Sequence, residues 1–129
     1  MIIMKYRVTT ETSLRDRPKD HEMMAAIRIA EYFKTDILFL RREQHHSPDL
    51  DVNGALWELK SPIGDGKNTI KNNLHAAKKQ STNVILDLSR CKMYQDKALA
   101  NVRHYFADHR SQIKHLIIIT KRGKVVELF

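Results

Sequence analysis

Residues 47–62 read SPDLDVNGALWELKSP, and this stretch decides the fold. The dipeptide Asn53-Gly54 is the one that a tight hairpin turn prefers, because both central residues of that turn need a positive φ. The runs on either side alternate between polar and apolar residues with a period of two, which is typical of strands with one buried face. The sequence therefore predicts two antiparallel strands joined by a two-residue turn.

The register of this hairpin sorts its side chains onto two faces. With Asn53 and Gly54 as the loop, Asp49 stands directly opposite Glu58. Side chains alternate across a strand, so a polar and an apolar set emerge on opposite sides. The polar set is Asp49, Asp51, Glu58 and Lys60, and the apolar set is Leu50, Val52, Trp57 and Leu59. One face is predicted to join the core and the other to gather charge.

The charged face has the composition of a metal site. Two carboxylates that face each other across a strand pair repel unless a cation lies between them. Aspartate and glutamate oxygens suit Mg²⁺ or Mn²⁺, which leave positions open for a phosphate, so we expect Asp49 and Glu58 to hold the ion. Lys60 would orient the attacking water or offset charge on the phosphorane oxygens. Asp51 is the alternative to Asp49, because a bulge or a longer turn would exchange their positions.

The same residues carry a family resemblance. Pro48-Asp49 followed by Glu58-Leu59-Lys60 resembles the signature of the PD-(D/E)XK nuclease superfamily, whose core is a helix, a three-strand meander, a helix and another strand. The wider pattern, Trp57 to Pro62 with Gln80 and residues 84–88, resembles the C-terminal tRNase domain of contact-dependent growth-inhibition toxins. The resemblance extends over residues 22–88. It implies a metal-dependent endonuclease with tRNA as the favoured substrate and an immunity-type inhibitor protein as a partner.

The resemblance also implies further site residues. The main-chain carbonyl of Leu59 would join Asp49 and Glu58 around the metal. Glu22 would bring another acid from the first helix, although an acid in a first turn also suits the helix dipole. Gln80 would reach the site from the second helix, although a solvated helix end is the commoner position for such a residue.

The rest of the chain predicts one α/β domain over residues 1–129, with a PD-(D/E)XK nuclease-like core. The expected elements are an edge strand over 5–10, a helix over 20–34 with Asp20 as N-cap, a strand over 36–42, the hairpin, a helix over 67–81, a strand over 83–88, a helix over 94–110, and strands over 116–119 and 125–129. This order is helix, three-strand meander, helix and strand, followed by a C-terminal helix and two strands.

Charge and composition narrow the class of partner. The 129 residues carry a net charge of +8, distributed as −1 over residues 1–59, +3 over 60–89 and +6 over 90–129. A positive second half suits a polyanion such as nucleic acid. Cys91 is the only cysteine, which excludes an intrachain disulfide and a multi-cysteine zinc site. No segment has the length of a signal-peptide core or a membrane span, so we expect a cytoplasmic protein with no membrane partner.

Other hypotheses remain beside the tRNA nuclease. DNA is an alternative substrate, since related nucleases cut DNA with the same acids and lysine. A basic domain could also bind nucleic acid without cutting it, with Lys60 neutralising Glu58 and no metal bound. A structural protein with a decayed nuclease fold is disfavoured because the acid-acid-lysine set is complete. The chain begins at its own methionine without the long delivery region of those toxins, which argues against a secreted toxin.

Two sequence features concern recognition. The pair His45-His46 precedes the motif, but a polar loop pair is a commoner role for such histidines than a ligand. The chain has no run of aromatic residues for stacking single-stranded bases, which favours recognition of a folded or duplex substrate by its shape.

Overall fold

The computed structural model of the protein describes residues 5–11, 17–41, 48–108 and 111–129. Within these ranges the elements are β1 (Val8–Thr10), α1 (Asp20–Phe33), β2 (Ile37–Phe39), β3 (Leu50–Val52), β4 (Ala55–Lys60), α2 (Thr69–Ala77), β5 (Asn83–Asp87), α3 (Gln95–Asp108), β6 (His115–Ile119) and β7 (Val125–Glu127). The strands form one sheet in the order β1-β2-β3-β4-β5-β6-β7. The element order is the one predicted from the sequence.

The hairpin has the predicted register. Asp51 lies opposite Leu56, and Val52 lies opposite Ala55, so the loop is the two residues Asn53 and Gly54. Their φ angles are 51° and 90°, both positive as the primed turn requires. β2 pairs antiparallel with β3 and completes the meander.

β5 and β6 run parallel to β4, so the C-terminal ends of these three strands lie at the same edge of the sheet. Lys60 lies beside Leu86 in the pairing of β4 with β5, and β6 continues in the same direction. Parallel strands end at the same edge of a sheet. The loops after β4 and β5 meet there, since the Lys92 amide donates to the Ile63 carbonyl at 2.9 Å. We call this side of the sheet the C-terminal edge.

Helices cover both faces of the sheet. α1 packs its buried residues against one face, where Trp57, Leu59 and Ile85 lie. α2 and α3 pack on the other face, where Val84 and Leu86 lie. Because side chains alternate along β4, Glu58 and Lys60 point to the α2 side of the sheet.

Several predicted element ends differ from the structure. Asp20 is the first residue of α1 and not its N-cap, because the carbonyl of Lys19 already accepts the Met23 amide at 2.9 Å. α2 ends at Ala77, four residues early, because the Gln80 amide returns to the Ala77 carbonyl at 2.9 Å in a tighter turn. The strand predicted over 36–42 forms only over Ile37–Phe39, and residue 42 is outside the described ranges.

No helix within the described residues is both long enough and apolar enough to pass through a membrane.

Candidate active site

The hairpin holds Asp49 in place from both sides. Its carbonyl accepts the Leu40 amide from β2 at 2.8 Å, and its amide donates to the Trp57 carbonyl of β4 at 3.0 Å. Its carboxylate Oδ2 accepts the Leu59 amide at 2.9 Å, and only 6% of the residue is exposed. The side chain is therefore fixed beside the residue that follows Glu58.

Glu58 lies at the centre of the site and is 0% exposed. The pKa of Glu58 is raised from 4.5 to about 8, first by burial and then by the hydrogen bond and the charge of Asp49. Lys60 acts in the opposite direction and lowers this pKa. The raised pKa favours the protonated form of Glu58 at neutral pH.

Lys60 connects this buried pair to solvent. Its Nζ lies 3.1 Å from Oε2 of Glu58, and its side chain is 20% exposed. The ammonium is the partly accessible member of the three.

The structure places Asp51 differently from Asp49. Oδ1 of Asp51 accepts the Gly54 amide at 2.8 Å, so this carboxylate stabilises the hairpin turn. In the strand pairing Asp51 faces Leu56 and not Glu58. The geometry therefore favours Asp49 over Asp51 as the partner of Glu58.

Glu22 is bound at the start of its own helix. Its Oε1 accepts the Lys19 amide at 2.9 Å, which satisfies one of the free donors at the helix N-terminus. α1 lies on the face of the sheet opposite to the one that carries Glu58. Among the described contacts, Glu22 has none with Asp49, Glu58 or Lys60, so the structure does not bring it to the other three.

Gln80 lies near β4 because its neighbour is bonded to that strand. The Ser81 hydroxyl and the Asn83 side-chain amide both donate to the Leu56 carbonyl at 3.0 Å. Leu56 is on the α2 side of β4, two residues before Glu58. Oε1 of Gln80 is a buried atom. Gln80 itself lies in the turn after α2 and not in the helix, and its approach to the site stays a prediction.

Asn73 is a half-buried polar residue of α2 that the sequence did not single out. His75 contacts Tyr105 of α3, with its Nδ1 at 3.1 Å from the phenol oxygen, which identifies the side of α2 that faces α3. Thr69 and Asn73 lie on the other side of the buried stripe at helical spacing, toward β4. Asn73 is half-buried and donates to the Thr69 carbonyl at 2.8 Å. Thr69 and Asn73 are four residues apart, and this spacing in the sequence already predicts that they lie on the same side of the helix.

The donor set of the site is small. Within the ranges that the structure describes, no group of three or more histidine, cysteine, aspartate or glutamate side chains is arranged to hold a metal ion. Asp49 and Glu58 are a smaller set, two neighbouring carboxyl groups whose oxygens are of the type that a divalent cation accepts. His45 and His46 lie outside the described residues.

The fold is similar to that of a known toxin. Among solved structures, the "CdiA-CT/CdiI toxin and immunity complex from Burkholderia pseudomallei" matches with a TM-score of 0.60 and 15% sequence identity. The match covers 95% of this chain and 98% of that chain. At this identity the likeness shows a shared fold. No curated protein matches the sequence.

The family is shown by a match in sequence. The profile of the contact-dependent growth inhibition CdiA C-terminal domain matches residues 46–125, which is more than half of the chain. The matched residues include the whole hairpin, and they continue beyond the residues 22–88 to which the sequence resemblance extended. The chain belongs to the family of CdiA C-terminal toxin domains of contact-dependent growth inhibition.

Proposed function

We propose that this toxin domain is a metal-dependent endonuclease of the PD-(D/E)XK type that hydrolyses phosphodiester bonds, with tRNA as the favoured substrate. One observation carries the proposal: two buried carboxyl groups, Asp49 and Glu58, share one face of the hairpin with an ammonium group 3.1 Å from Glu58. The order helix, three-strand meander, helix and strand supports the superfamily, since its core has the same order.

The carboxyl pair fits a divalent ion, Mg²⁺ or Mn²⁺. Asp49 and Glu58 would hold it with hard oxygen ligands, and the Leu59 carbonyl would join them as the resemblance implies. When bound, such an ion polarises a phosphoryl oxygen and lowers the pKa of a coordinated water. The raised pKa of Glu58 supports this fit, because the site as built disfavours a second negative charge.

Lys60 lies where it could act on the attacking water and on the phosphoryl oxygens. An ammonium group beside the acids orients the attacking water by hydrogen bonding, and it stabilises negative charge that develops on the phosphoryl oxygens. The Leu59 amide holds Asp49 in place, so the side chains of the site need little rearrangement before reaction. Gln80 would add a polar contact from the turn after α2, while the predicted role of Glu22 in the site remains a prediction.

The positive charge of the chain supports nucleic acid as a partner, and the structural neighbour supports an immunity-type inhibitor. The surplus of positive charge over residues 60–129 suits a nucleic acid that must approach an acidic site. The similar structure is that of a toxin with its immunity protein, which supports an immunity-type inhibitor as the protein partner of this chain.

The second candidate is a domain that binds nucleic acid without cutting it. The ion pair of Lys60 with Glu58 favours this alternative, because it offsets the buried charge without a metal. The two candidates differ in one requirement. A nuclease needs Glu58 and a divalent ion for activity, whereas a binding domain needs neither.

Cleavage of end-labelled tRNA, duplex DNA and single-stranded DNA distinguishes these candidates. Each substrate is incubated with Mg²⁺, Mn²⁺ or chelator, using the wild type, Glu58→Gln, and Asp51→Asn as the matched control on the same face. We expect metal-dependent cutting of tRNA that Glu58→Gln loses and Asp51→Asn keeps. Cutting of DNA alone would preserve the mechanism and change the substrate. Salt-sensitive binding without cutting would support the binding domain.

A further inference from the structure

Tyr94 is the most exposed large hydrophobic residue among those described, at 83%. The next most exposed are Met24 and Ile63, each at 49%. Ile63 lies close to Tyr94, because its carbonyl accepts the amide of Lys92, two residues before the tyrosine. The loop segments that carry these two exposed side chains therefore meet at the C-terminal edge. We call Ile63, Lys92 and Tyr94 the Tyr94 surface.

The Tyr94 surface lies at the C-terminal edge, beside the candidate site. Ile63 is three residues beyond Lys60, so their Cα atoms are at most about 11 Å apart. Lys92 and Tyr94 follow β5, which is parallel to β4 and ends at the same edge. A strand of nucleic acid with one phosphate at Lys60 would therefore have its neighbouring nucleotides within reach of Tyr94.

The backbone that carries Tyr94 is fixed by bonds and burial. Cys91 and Met93, which alternate with the surface residues, are both buried in the core. Nζ of Lys121 donates to the carbonyls of Cys91 at 2.6 Å and Met93 at 3.2 Å. The Tyr94 carbonyl accepts the Ala98 amide at 2.9 Å at the start of α3. The exposed ring therefore projects from a rigid support, which lowers the entropic cost of binding.

The charge around the ring is mostly positive. The exposed cations of the surrounding loops and of the start of α3 are Arg90, Lys92, Lys97 and Arg122, and the exposed acids are Asp65 and Asp96. Lys97 is one helical turn from Tyr94, so the two side chains lie on the same side of α3. An aromatic ring among cations matches a polymer with bases to stack and phosphates to neutralise.

We propose that Tyr94, supported by Ile63, stacks on an unpaired base of the nucleic acid next to the bond that is cut, while Lys92 and Lys97 bind the adjacent phosphates. This inference rests on the proposed nuclease function and gives its substrate class. The cleaved bond lies beside an unpaired nucleotide, such as one in a loop or at an end of a folded RNA. A single exposed aromatic residue thus adds base contact to a domain whose sequence indicated recognition by shape.

The test compares Tyr94→Ala with Tyr94→Phe, which keeps a ring, and with Tyr32→Ala, which removes an exposed tyrosine on α1, away from the C-terminal edge. Cleavage of labelled tRNA by the wild type first locates the cut. RNA hairpins that contain this bond are then made with each neighbouring nucleotide either intact or abasic. Affinity is measured in chelator and kcat/KM in Mg²⁺, and thermal unfolding confirms that each variant folds.

We expect Tyr94→Ala to weaken affinity for the intact hairpin by about 5- to 100-fold, the range for loss of one stacked base. Tyr94→Phe and Tyr32→Ala should bind as the wild type does. At one position, an abasic site should lower the affinity of the wild type for the hairpin to that of Tyr94→Ala. The same abasic site should not lower the affinity of Tyr94→Ala any further.

Three results would overturn the inference. If Tyr94→Ala binds and cuts as the wild type does while Glu58→Gln is inactive, the nuclease stands and the stacking role fails. If Tyr94→Ala weakens intact and abasic hairpins equally, the tyrosine contacts the backbone and not a base. If the wild type neither binds nor cuts any nucleic acid, the proposed function fails and the stacking role fails with it.

Discussion

Nζ of Lys60 lies 3.1 Å from Oε2 of Glu58, and the lysine is one-fifth exposed whereas the glutamate is fully buried. The cation therefore stands between the buried acid pair and solvent. Burial and Asp49 raise the pKa of Glu58 and Lys60 lowers it, so the charge of the site depends on all three residues and on their burial.

Removal of the lysine should slow cutting strongly without unfolding the protein. We expect Lys60→Met to lower the rate of tRNA cleavage by about 10²- to 10³-fold, the usual effect of removing one group that stabilises the transition state. The fold should persist at pH 6, since Glu58 then carries a proton and leaves no buried charge unpaired. Lys60→Arg, which keeps a cation, should retain part of the rate. Wild-type cutting by Lys60→Met would remove Lys60 from the mechanism.

Stability in chelator should depend on pH through Glu58. The pKa of Glu58 is about 8 in the folded protein and 4.5 as its ordinary value. Between these pH values the unfolded chain releases the proton and the folded protein keeps it, so the free energy of unfolding falls as the pH rises. Glu58→Gln cannot titrate and should lack this decrease. Urea unfolding at pH 5, 6, 7 and 8 measures the free energy of unfolding of the wild type and of Glu58→Gln. If the difference between the two proteins does not change with pH, Glu58 does not have the raised pKa.

Binding of a divalent ion should displace the proton of the acid pair. Ligating carboxyl groups must be ionised, so affinity for Mn²⁺ should increase from pH 6 to pH 8. The ion should also raise the melting temperature of the wild type, because a ligand that binds only the folded state stabilises it. Calorimetric titration in two buffers of different ionisation enthalpy would detect the released proton. Equal Mn²⁺ affinity in the wild type and Glu58→Gln would exclude Glu58 as a ligand.

Substitutions of Asp49 and of Asp51 should affect different properties, the first activity and the second stability. Asp49→Asn should lose Mn²⁺ binding and cutting. Asp51→Asn should keep both and should lose about 0.5–1.5 kcal/mol of stability, because it weakens the hydrogen bond from the Gly54 amide. Chemical unfolding and the tRNA assay on both variants test this division. Loss of cutting in Asp51→Asn alone would exchange the roles of the two residues.

Glu22 should act on the helix and not on the reaction. Glu22→Gln keeps an oxygen that can accept the Lys19 amide, so it should retain both stability and cutting. Glu22→Ala removes the acceptor and should cost about 1 kcal/mol, as loss of a helix-capping bond commonly does. At temperatures below the melting range of Glu22→Ala, this variant should cut at the wild-type rate. A stable Glu22→Gln protein that cuts slowly would instead support the role in the site implied by the resemblance.

The hairpin and its facing acids were predictable because they depend on local rules. A turn of Asn53 and Gly54 fixes the register as far as Leu50 opposite Trp57, and Asp49 continues beside β4, where its amide donates to the Trp57 carbonyl. The ends of α1 and α2 were less predictable, since a helix end depends on which groups satisfy its last backbone donors and acceptors. The structure supplied those groups: the side chain of Glu22 for α1 and the tight turn before Gln80 for α2.

Residue type and spacing were enough to predict the order of the elements and the face of the hairpin on which the charged side chains emerge, because both depend on local rules. Only the tertiary structure decided that Glu58 is fully buried, that Gln80 lies near β4 and that Tyr94 projects into solvent beside the site. Burial and exposure depend on which distant segments pack against a residue. Here α2 and α3, which come later in the chain, pack on the face of the sheet from which Glu58 emerges, a face that the hairpin alone would leave in water.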